Sequence, residues 1–319
     1  MVQAAHLMPS SPAFVERGQC PSCGSPEARP LLSVPYSHPA MDTFLKTYYH
    51  RPPDTTPLDG WSYELVRCGS CSLGYQRFVP GPELLQTIYD HWISPSPPEG
   101  ERKRYGIEDY RLLAQEVQFL IEHFGRRPAS IDVLDFGMGW GSWARMALAF
   151  GCNVSGSELS LARQQHGRSI GVNVLQWSEL PGRNFHFINT EQVFEHLVDP
   201  AATLKHLAAS LAPGGLLRIS VPNCRAALRA IEKRPKFEEL SMDHVRAVHP
   251  LEHLNGFEAT SLERFGRVAG LEPIRPSLRL LYNGTSGWLK PKGALKSLVR
   301  PVYRHVYPKS TVVYFRKGR

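Results

Sequence analysis

The chain has 319 residues, 42% hydrophobic and 21% charged, a composition that excludes a disordered chain and a membrane-embedded one. It is long enough for one α/β domain of ordinary size with a smaller appendage, so two domains are expected. The net charge of +8 gathers at the end, where residues 288–319 hold nine basic side chains and no acidic one. This basic tail reads equally as solvated surface and as attraction for a phosphate-bearing substrate or an anionic surface. No apolar run approaches the roughly 18 residues of a membrane span. Residues 1–14 lack the basic start and apolar run of a secretory signal, which makes a cytoplasmic protein the expectation.

Four of the six cysteines form two pairs of identical spacing, Cys20-Pro21-Ser22-Cys23 and Cys68-Gly69-Ser70-Cys71. Each is a candidate knuckle, a turn that aims two sulfurs at one point, and two knuckles surround one tetrahedral zinc. The metal is expected to be structural, because four thiolates leave no open coordination position. The 44 residues between the pairs leave room for a small subdomain. A pair of disulfides and a redox site are the competing readings. Disulfides are disfavoured without a secretory signal, and a redox motif needs only one pair beside a βαβ unit. Cys152 and Cys224 stand alone and read as buried packing.

The proline-rich break Ser94-Pro95-Ser96-Pro97-Pro98 marks a boundary near residue 98, dividing a metal-binding module (1–98) from a second domain (99–319). An amphipathic helix is predicted over 107–124, with Leu112, Leu113, Val117, Leu120, Ile121 and Phe124 on one face. From residue 131 short apolar runs alternate with helical patterns, the signature of parallel βαβ units. Strands are predicted at 131–136, 153–157, 172–176, 185–189, 216–221, 276–281 and 311–315. Helices are predicted at 143–150, 159–170, 200–211 and 260–269, the third stopped by Pro213-Gly214-Gly215. The predicted fold is a doubly wound, mostly parallel seven-stranded α/β sheet, with ligands at the carboxyl ends of its strands.

The run Asp135-Phe136-Gly137-Met138-Gly139-Trp140-Gly141 ends the first of these strands. Glycine at alternate positions permits unusual dihedrals and lets a ligand approach the main chain. Glu158 follows 21 residues after Gly137, at the end of the next strand, where a carboxylate can accept from both hydroxyls of an adenosine ribose. A nicotinamide or flavin site is the competing reading. Its G-x-G-x-x-G/A fingerprint places the third small residue where Ser142 stands, whereas here the third glycine comes one position early. That spacing favours a ligand without a pyrophosphate.

The series from Asp135 to Gly141, with Glu158, Glu191-Gln192-Val193-Phe194-Glu195-His196-Leu197-Val198-Asp199-Pro200 and Leu211-Ala212-Pro213-Gly214-Gly215, resembles class I methyltransferases that use S-adenosylmethionine (SAM). Cys20-Pro21-Ser22-Cys23-Gly24 with Tyr63-Glu64-Leu65-Val66-Arg67-Cys68 is similar to the zinc-binding N-terminal module of some bacterial methyltransferases, including sugar C-methyltransferases. The resemblance spans about residues 20–275. It implies that Asp135, Gly137, Gly139 and Gly141 cradle the amino-acid part of SAM, that Glu158 holds its ribose, and that Trp177 packs near adenine. Where the family often has Asp for the adenine amino group, this chain has Gln176, Trp177 and Ser178, and Phe185-His186 replaces the common Phe-Asp.

Candidates for the chemistry are histidines, which titrate near neutrality. His253 is the preferred base, with His249 and His196 as acceptor-positioning groups. His249 to Phe257 resembles the family's loop over the acceptor. The segment 222–248 is longer than an ordinary connection and reads either as a lid that receives phosphates or as a charged helical surface. The expected reaction is methyl transfer to oxygen or carbon of a sugar, glycan precursor or other small polar metabolite, including phosphate-bearing or nucleotide-linked sugars. An NAD-dependent oxidoreductase or epimerase is one alternative. A noncatalytic zinc protein that holds nucleic acid is another, ranked lower because no basic and aromatic stripe accompanies the knuckles. The sequence carries no signal for oligomeric state.

Overall fold

The structure, a computed structural model, describes residues 12–49, 54–93, 105–276 and 310–318. In chain order the strands are β1 (Phe14–Glu16), β2 (Ala28–Pro35), β3 (Ser62–Cys68), β4 (Gly74–Gln76), β5 (Phe78–Pro80), β6 (Asp132–Phe136), β7 (Asn153–Ser157), β8 (Asn173–Val174), β9 (Phe185–Glu191), β10 (Leu211–Pro222), β11 (Asn255–Gly256), β12 (Leu271–Ile274) and β13 (Ser310–Lys317). Two compact units result. One joins the described residues up to 93 with Cys224–Gly256; the other joins residues 105–223 with 257–276 and 310–318.

A single cut near residue 98 therefore does not describe the chain, because the excursion after β10 belongs to the first unit. The cause is its apolar face. Ala227, Leu228 and Ile231 of the helix Arg225–Lys233, with Phe237, Val245 and Val248, are buried in the same cluster as Leu31, Leu65 and Phe44. Gly74 in β4 accommodates this packing, since a Cβ there would stand 2.8 Å from Leu228 Cδ2. The excursion is thus part of a hydrophobic core on its apolar face, while Arg225, Arg229 and Lys233 form a charged outer face of the helix. The unit's four-stranded antiparallel sheet has the order β11-β4-β3-β2, with β1 and β5 as a separate ribbon. The helix Pro39–Tyr48 buries Met41, Phe44 and Leu45 in its core.

The second unit is built on a seven-stranded sheet of order β12-β13-β10-β9-β6-β7-β8. Strands β6 to β10 run parallel, and β13 runs antiparallel to both of its neighbours. Parallel strands are covered on both faces, which explains the burial of Val133–Phe136 in β6 and Leu216–Val221 in β10. The helix Ile107–Phe124 buries Val117 and Leu120 of its predicted stripe together with Phe119, while Leu112, Leu113, Ile121 and Phe124 are half-buried. Pro200 at the first turn and the Asp199 side chain, accepting from the Ala202 N–H at 2.9 Å, start the helix Pro200–Ser210.

The edges depart from the sequence pattern. The third strand of the sheet shrinks to Asn173–Val174, and a strand not expected from the sequence occupies Leu271–Ile274, right after Gly270 turns the chain with φ +72°. The strand expected at 276–281 falls almost wholly outside the described residues, which stop at 276 and resume at 310. Of the basic tail, Arg316 and Lys317 are strand residues: Arg316 pairs with Glu272 at 3.0 Å and Lys317 donates to the Leu211 carbonyl at 2.7 Å. The tail's other basic residues fall outside the described residues. No helix among the described residues is long and apolar enough to cross a membrane.

Candidate functional site

Between β6 and the helix Ser142–Ala149 the chain reverses within residues 137–141. It does so through left-handed glycines, with φ of +70°, +54° and +72° at Gly137, Gly139 and Gly141. At Gly137 space is also lacking, since a Cβ would meet Val193 Cγ2 at 2.5 Å. The N–H groups of Gly137 and Met138 donate to the Ser157 carbonyl at 2.9 and 3.2 Å. The Gly139 N–H donates to Glu158 Oε2 at 3.0 Å, while Oε1 accepts from the Leu159 and Ser160 N–H groups at 2.9 and 3.0 Å. Glu158 is therefore clamped between the turns that follow β6 and β7. This is the carboxyl edge of two neighbouring parallel strands, where doubly wound sheets take their ligands.

Asp135 lies just below the turn, 3% exposed, with Oδ1 accepting from Asn189 Nδ2 at 2.9 Å. Burial pushes its carboxyl up to about 7, although the Asn189 amide and the Ala144 N–H favour the ionised form. Large apolar side chains stand exposed after the next two strands: Leu159 at 97% and Trp177 at 45%. The Trp177 ring stacks on His206 with centroids 3.7 Å apart and planes 3° from parallel, and His206 Nε2 donates to the Trp177 carbonyl at 2.8 Å.

The histidine candidates divide between the units. His196 closes a short turn after β9, its Nε2 3.8 Å from Glu195 Oε1. Glu195 itself is 1% exposed, and neither carboxyl oxygen has a hydrogen bond of good geometry. Burial pushes it up to about 8. His249 and His253 lie in the first unit on one turn, ring centroids 6.0 Å apart, with the His253 N–H donating to the His249 carbonyl at 3.0 Å. His249 is 1% exposed, packed against Phe44 and Tyr48 at 5.0 and 4.1 Å between centroids, and 3.8 Å from Glu252. His253 Nδ1 donates to the Ala247 carbonyl at 3.1 Å, and burial holds the ring below its usual pKa.

In the first unit the four paired cysteines converge, and their sulfurs all lie within 4.8 Å of one another. Cys20 to Cys71 is 3.5 Å and Cys23 to Cys68 is 3.6 Å, far longer than a disulfide. A tetrahedron of sulfurs about 2.3 Å from zinc has edges of about 3.8 Å, so the four ligands fit that ion. The two knuckles repeat each other bond for bond. The Gly24 and Ser72 N–H groups donate to the carbonyls of Cys20 and Cys68 at 2.9 and 3.1 Å. The N–H groups of those cysteines donate to the Ser25 and Leu73 carbonyls, both at 2.9 Å. Gly24 and Ser72 are both left-handed, with φ of +73° and +67°. Hydrogen bonding from Cys20 draws the Cys71 thiol down to about 5 against the effect of burial. Cys152 and Cys224 are buried singly, at 5% and 0% exposure.

Asn189 and Arg218 escape a motif search, yet each is signalled in its strand by polarity where apolar residues belong. Arg218 sits in the run Leu216-Leu217-Arg218-Ile219, 4% exposed.

Comparison with known proteins gives the family of the chain. The family described as a methyltransferase domain matches residues 104–275. The ubiquinone biosynthesis O-methyltransferase of Colwellia psychrerythraea is 24% identical over 212 residues, covering 54% of this chain and 86% of that protein. Among solved structures, the 1,6-didemethyltoxoflavin-N1-methyltransferase of Burkholderia thailandensis, with S-adenosylhomocysteine (SAH) bound, matches at TM-score 0.42 and 18% identity over 74% of this chain and 86% of that one. The plantazolicin methyltransferase BamL, also with SAH, matches at TM-score 0.49 and 12% identity over 74% and 94%. With the family match spanning more than half of its residues, over the strands that carry the glycine turn, the chain belongs to the methyltransferase-domain family and is a SAM-dependent methyltransferase.

Proposed function

We propose that the enzyme methylates oxygen or carbon of a sugar, glycan precursor or other small polar metabolite, phosphate-bearing and nucleotide-linked sugars included, and that a structural zinc holds its first unit together. The observation that carries the cofactor half is Glu158, clamped between the glycine turn and the end of β7. In this reading Asp135, Gly137, Gly139 and Gly141 receive the amino-acid part of SAM and Glu158 its ribose hydroxyls. The exposed faces of Trp177 and Leu159 offer apolar surface for adenine. Four sulfurs at tetrahedral spacing support zinc at Cys20, Cys23, Cys68 and Cys71.

When bound, SAM supplies an electrophilic methyl group, so the chain has to align the acceptor and, where its nucleophile is protonated, take the proton. His253 is the proposed base: burial keeps its imidazole neutral near pH 7, which leaves a nitrogen able to accept. His249, enclosed by Phe44 and Tyr48, acts through the turn that carries His253, and His196 positions the acceptor from the turn after β9. The Colwellia relative is an O-methyltransferase by name, which favours oxygen over carbon as the acceptor atom.

The test is calorimetric titration with SAH and with NAD, followed by transfer of labelled methyl from SAM to a panel of nucleotide sugars and small hydroxylated metabolites. SAH binding and transfer to one class of acceptor are expected, with transfer lost in His253→Ala while SAH affinity is kept. NAD binding without SAH binding overturns the cofactor half, and unchanged turnover in His253→Ala removes that residue from the reaction.

A further inference from the structure

A row of polar side chains crosses the middle of the main sheet. Asp135 of β6 stands opposite Asn189 of β9, and Asn189 stands opposite Arg218 of β10, so the three are cross-strand partners in register. Arg218 Nη1 donates to Asn189 Oδ1 at 2.9 Å and to Glu191 Oε2 at 2.6 Å, and Nη2 donates to Glu116 Oε1 at 2.7 Å from the helix Ile107–Phe124. Ser220 Oγ donates to the other Glu191 oxygen at 2.9 Å. Asp135, Asn189 and Arg218 are 3%, 0% and 4% exposed.

Such a row is a poor way to stabilise a sheet. Well-packed apolar residues usually serve as well as a buried ion pair or better, so stability alone does not account for it. Its chemistry is directional. A guanidinium has donors and no acceptor, so Arg218 compels the Asn189 amide to turn its oxygen toward β10. The amide NH2 then faces β6, and NH2 only donates, so Asp135 Oδ1 is held as an acceptor. Any proton on this carboxyl is confined to Oδ2.

We propose that Arg218, acting through Asn189, is a positioning residue that orients Asp135 and keeps it anionic for the ammonium of the SAM amino-acid moiety. The proposal rests on the cofactor reading given above. Among the described residues, the charged and hydrogen-bonding groups that act on Asp135 include Asn189 and Glu191 on β9, Arg218 on β10 with Glu116 behind it, and the Ala144 N–H of the helix Ser142–Ala149. On the β7 side its partner is Gly156, which brings no charge. Glu191 opposes ionisation and Arg218 favours it, against a burial that pushes the carboxyl up to about 7. Loss of the donor chain moves the titration of Asp135 further upward.

The experiment is calorimetric titration of the full chain with SAH between pH 6 and 8.5, for wild type, Arg218→Met and Asn189→Leu. Wild-type affinity should rise with pH as Asp135 ionises and then level off. In both variants the rise should move to higher pH, weakening binding at pH 7 roughly fivefold for the first unit moved and roughly tenfold for each unit after it, with the deficit narrowing toward pH 8.5. Asn189→Leu leaves the ion pairs of Arg218 with Glu116 and Glu191 in place, so it decides the matter if Arg218→Met does not fold. Variants that bind with wild-type affinity and pH dependence overturn the inference, as does a loss equal at every pH, which marks a purely structural role. A wild type that binds no SAH at any pH overturns the cofactor reading itself.

Discussion

Replacing Glu195 by Gln should flatten the loss of stability that the protein suffers as pH rises. Glu195 is buried with both oxygens poorly served, and burial, aided by the Glu191 charge and partly offset by its own backbone N–H, lifts its carboxyl from 4.5 to about 8. Between those values the folded chain keeps a proton that the unfolded chain has released. Stability from this group is therefore complete below 4.5 and is lost as pH rises toward 8. The slope is about 1.4 kcal/mol per pH unit, with a ceiling of roughly 5 kcal/mol set by the full shift. Gln has nearly the shape of the protonated acid and nothing to titrate. In denaturant titrations of both proteins from pH 5 to 9, the stability difference between Glu195→Gln and wild type should move in favour of the variant by several kcal/mol between pH 5 and 8. Any constant cost of burying the amide drops out of that comparison. A difference that stays the same at every pH refutes the reasoning.

Other perturbations reach the remaining parts. Gly137→Ala puts a methyl against Val193 at a left-handed position, so a loss of about 1–3 kcal/mol in thermal unfolding is expected, together with weaker SAH binding by calorimetry. Glu158→Ala deletes a carboxylate able to accept two ribose hydroxyls and should weaken SAH by at least roughly 10- to 100-fold, the worth of one hydrogen bond to a charged group; unchanged affinity would remove Glu158 from the cofactor site. One zinc per chain is expected from elemental analysis of the wild type, and Cys71→Ser should abolish it and cost several kcal/mol of stability, as loss of a structural zinc does. Wild-type protein purified without chelator and free of metal would contradict the zinc assignment.

Much of this was legible because certain local rules admit few solutions. Alternating glycines after an apolar run, with an acid at the end of the next run, have few uses outside a nucleotide-type crevice, and the observed φ angles show the turn needs them. Equal Cys-x-x-Cys spacing likewise left little besides a shared metal, and the sulfurs converge. What stayed hidden depends on partners distant in sequence. The charges of 222–248 suggested a phosphate-receiving lid or a solvated surface, while the apolar stripe of Ala227, Leu228 and Ile231 had no visible counterpart until β2 and β3 supplied it. Arg316 and Lys317 read as tail because their strand finds its neighbours about 40 and 100 residues earlier, in β12 and β10. Arg218 made sense once Glu116, 102 positions away, was seen beside it.

The interleaving of the two units has a consequence for how the protein is made. The chain contributes to the first unit, then the second, then returns to the first before finishing the second. On a ribosome the cysteine knuckles emerge early, yet the core they adjoin waits for residues 224–256, by which time β6 to β10 have already been synthesised. The main sheet waits longer still, because β13 is an inner strand that joins β12 to β10. Until residues 310–317 arrive, β10 presents an unpaired edge of the kind that recruits other chains. Nascent chains halted before that point are therefore the form of this protein most prone to aggregate.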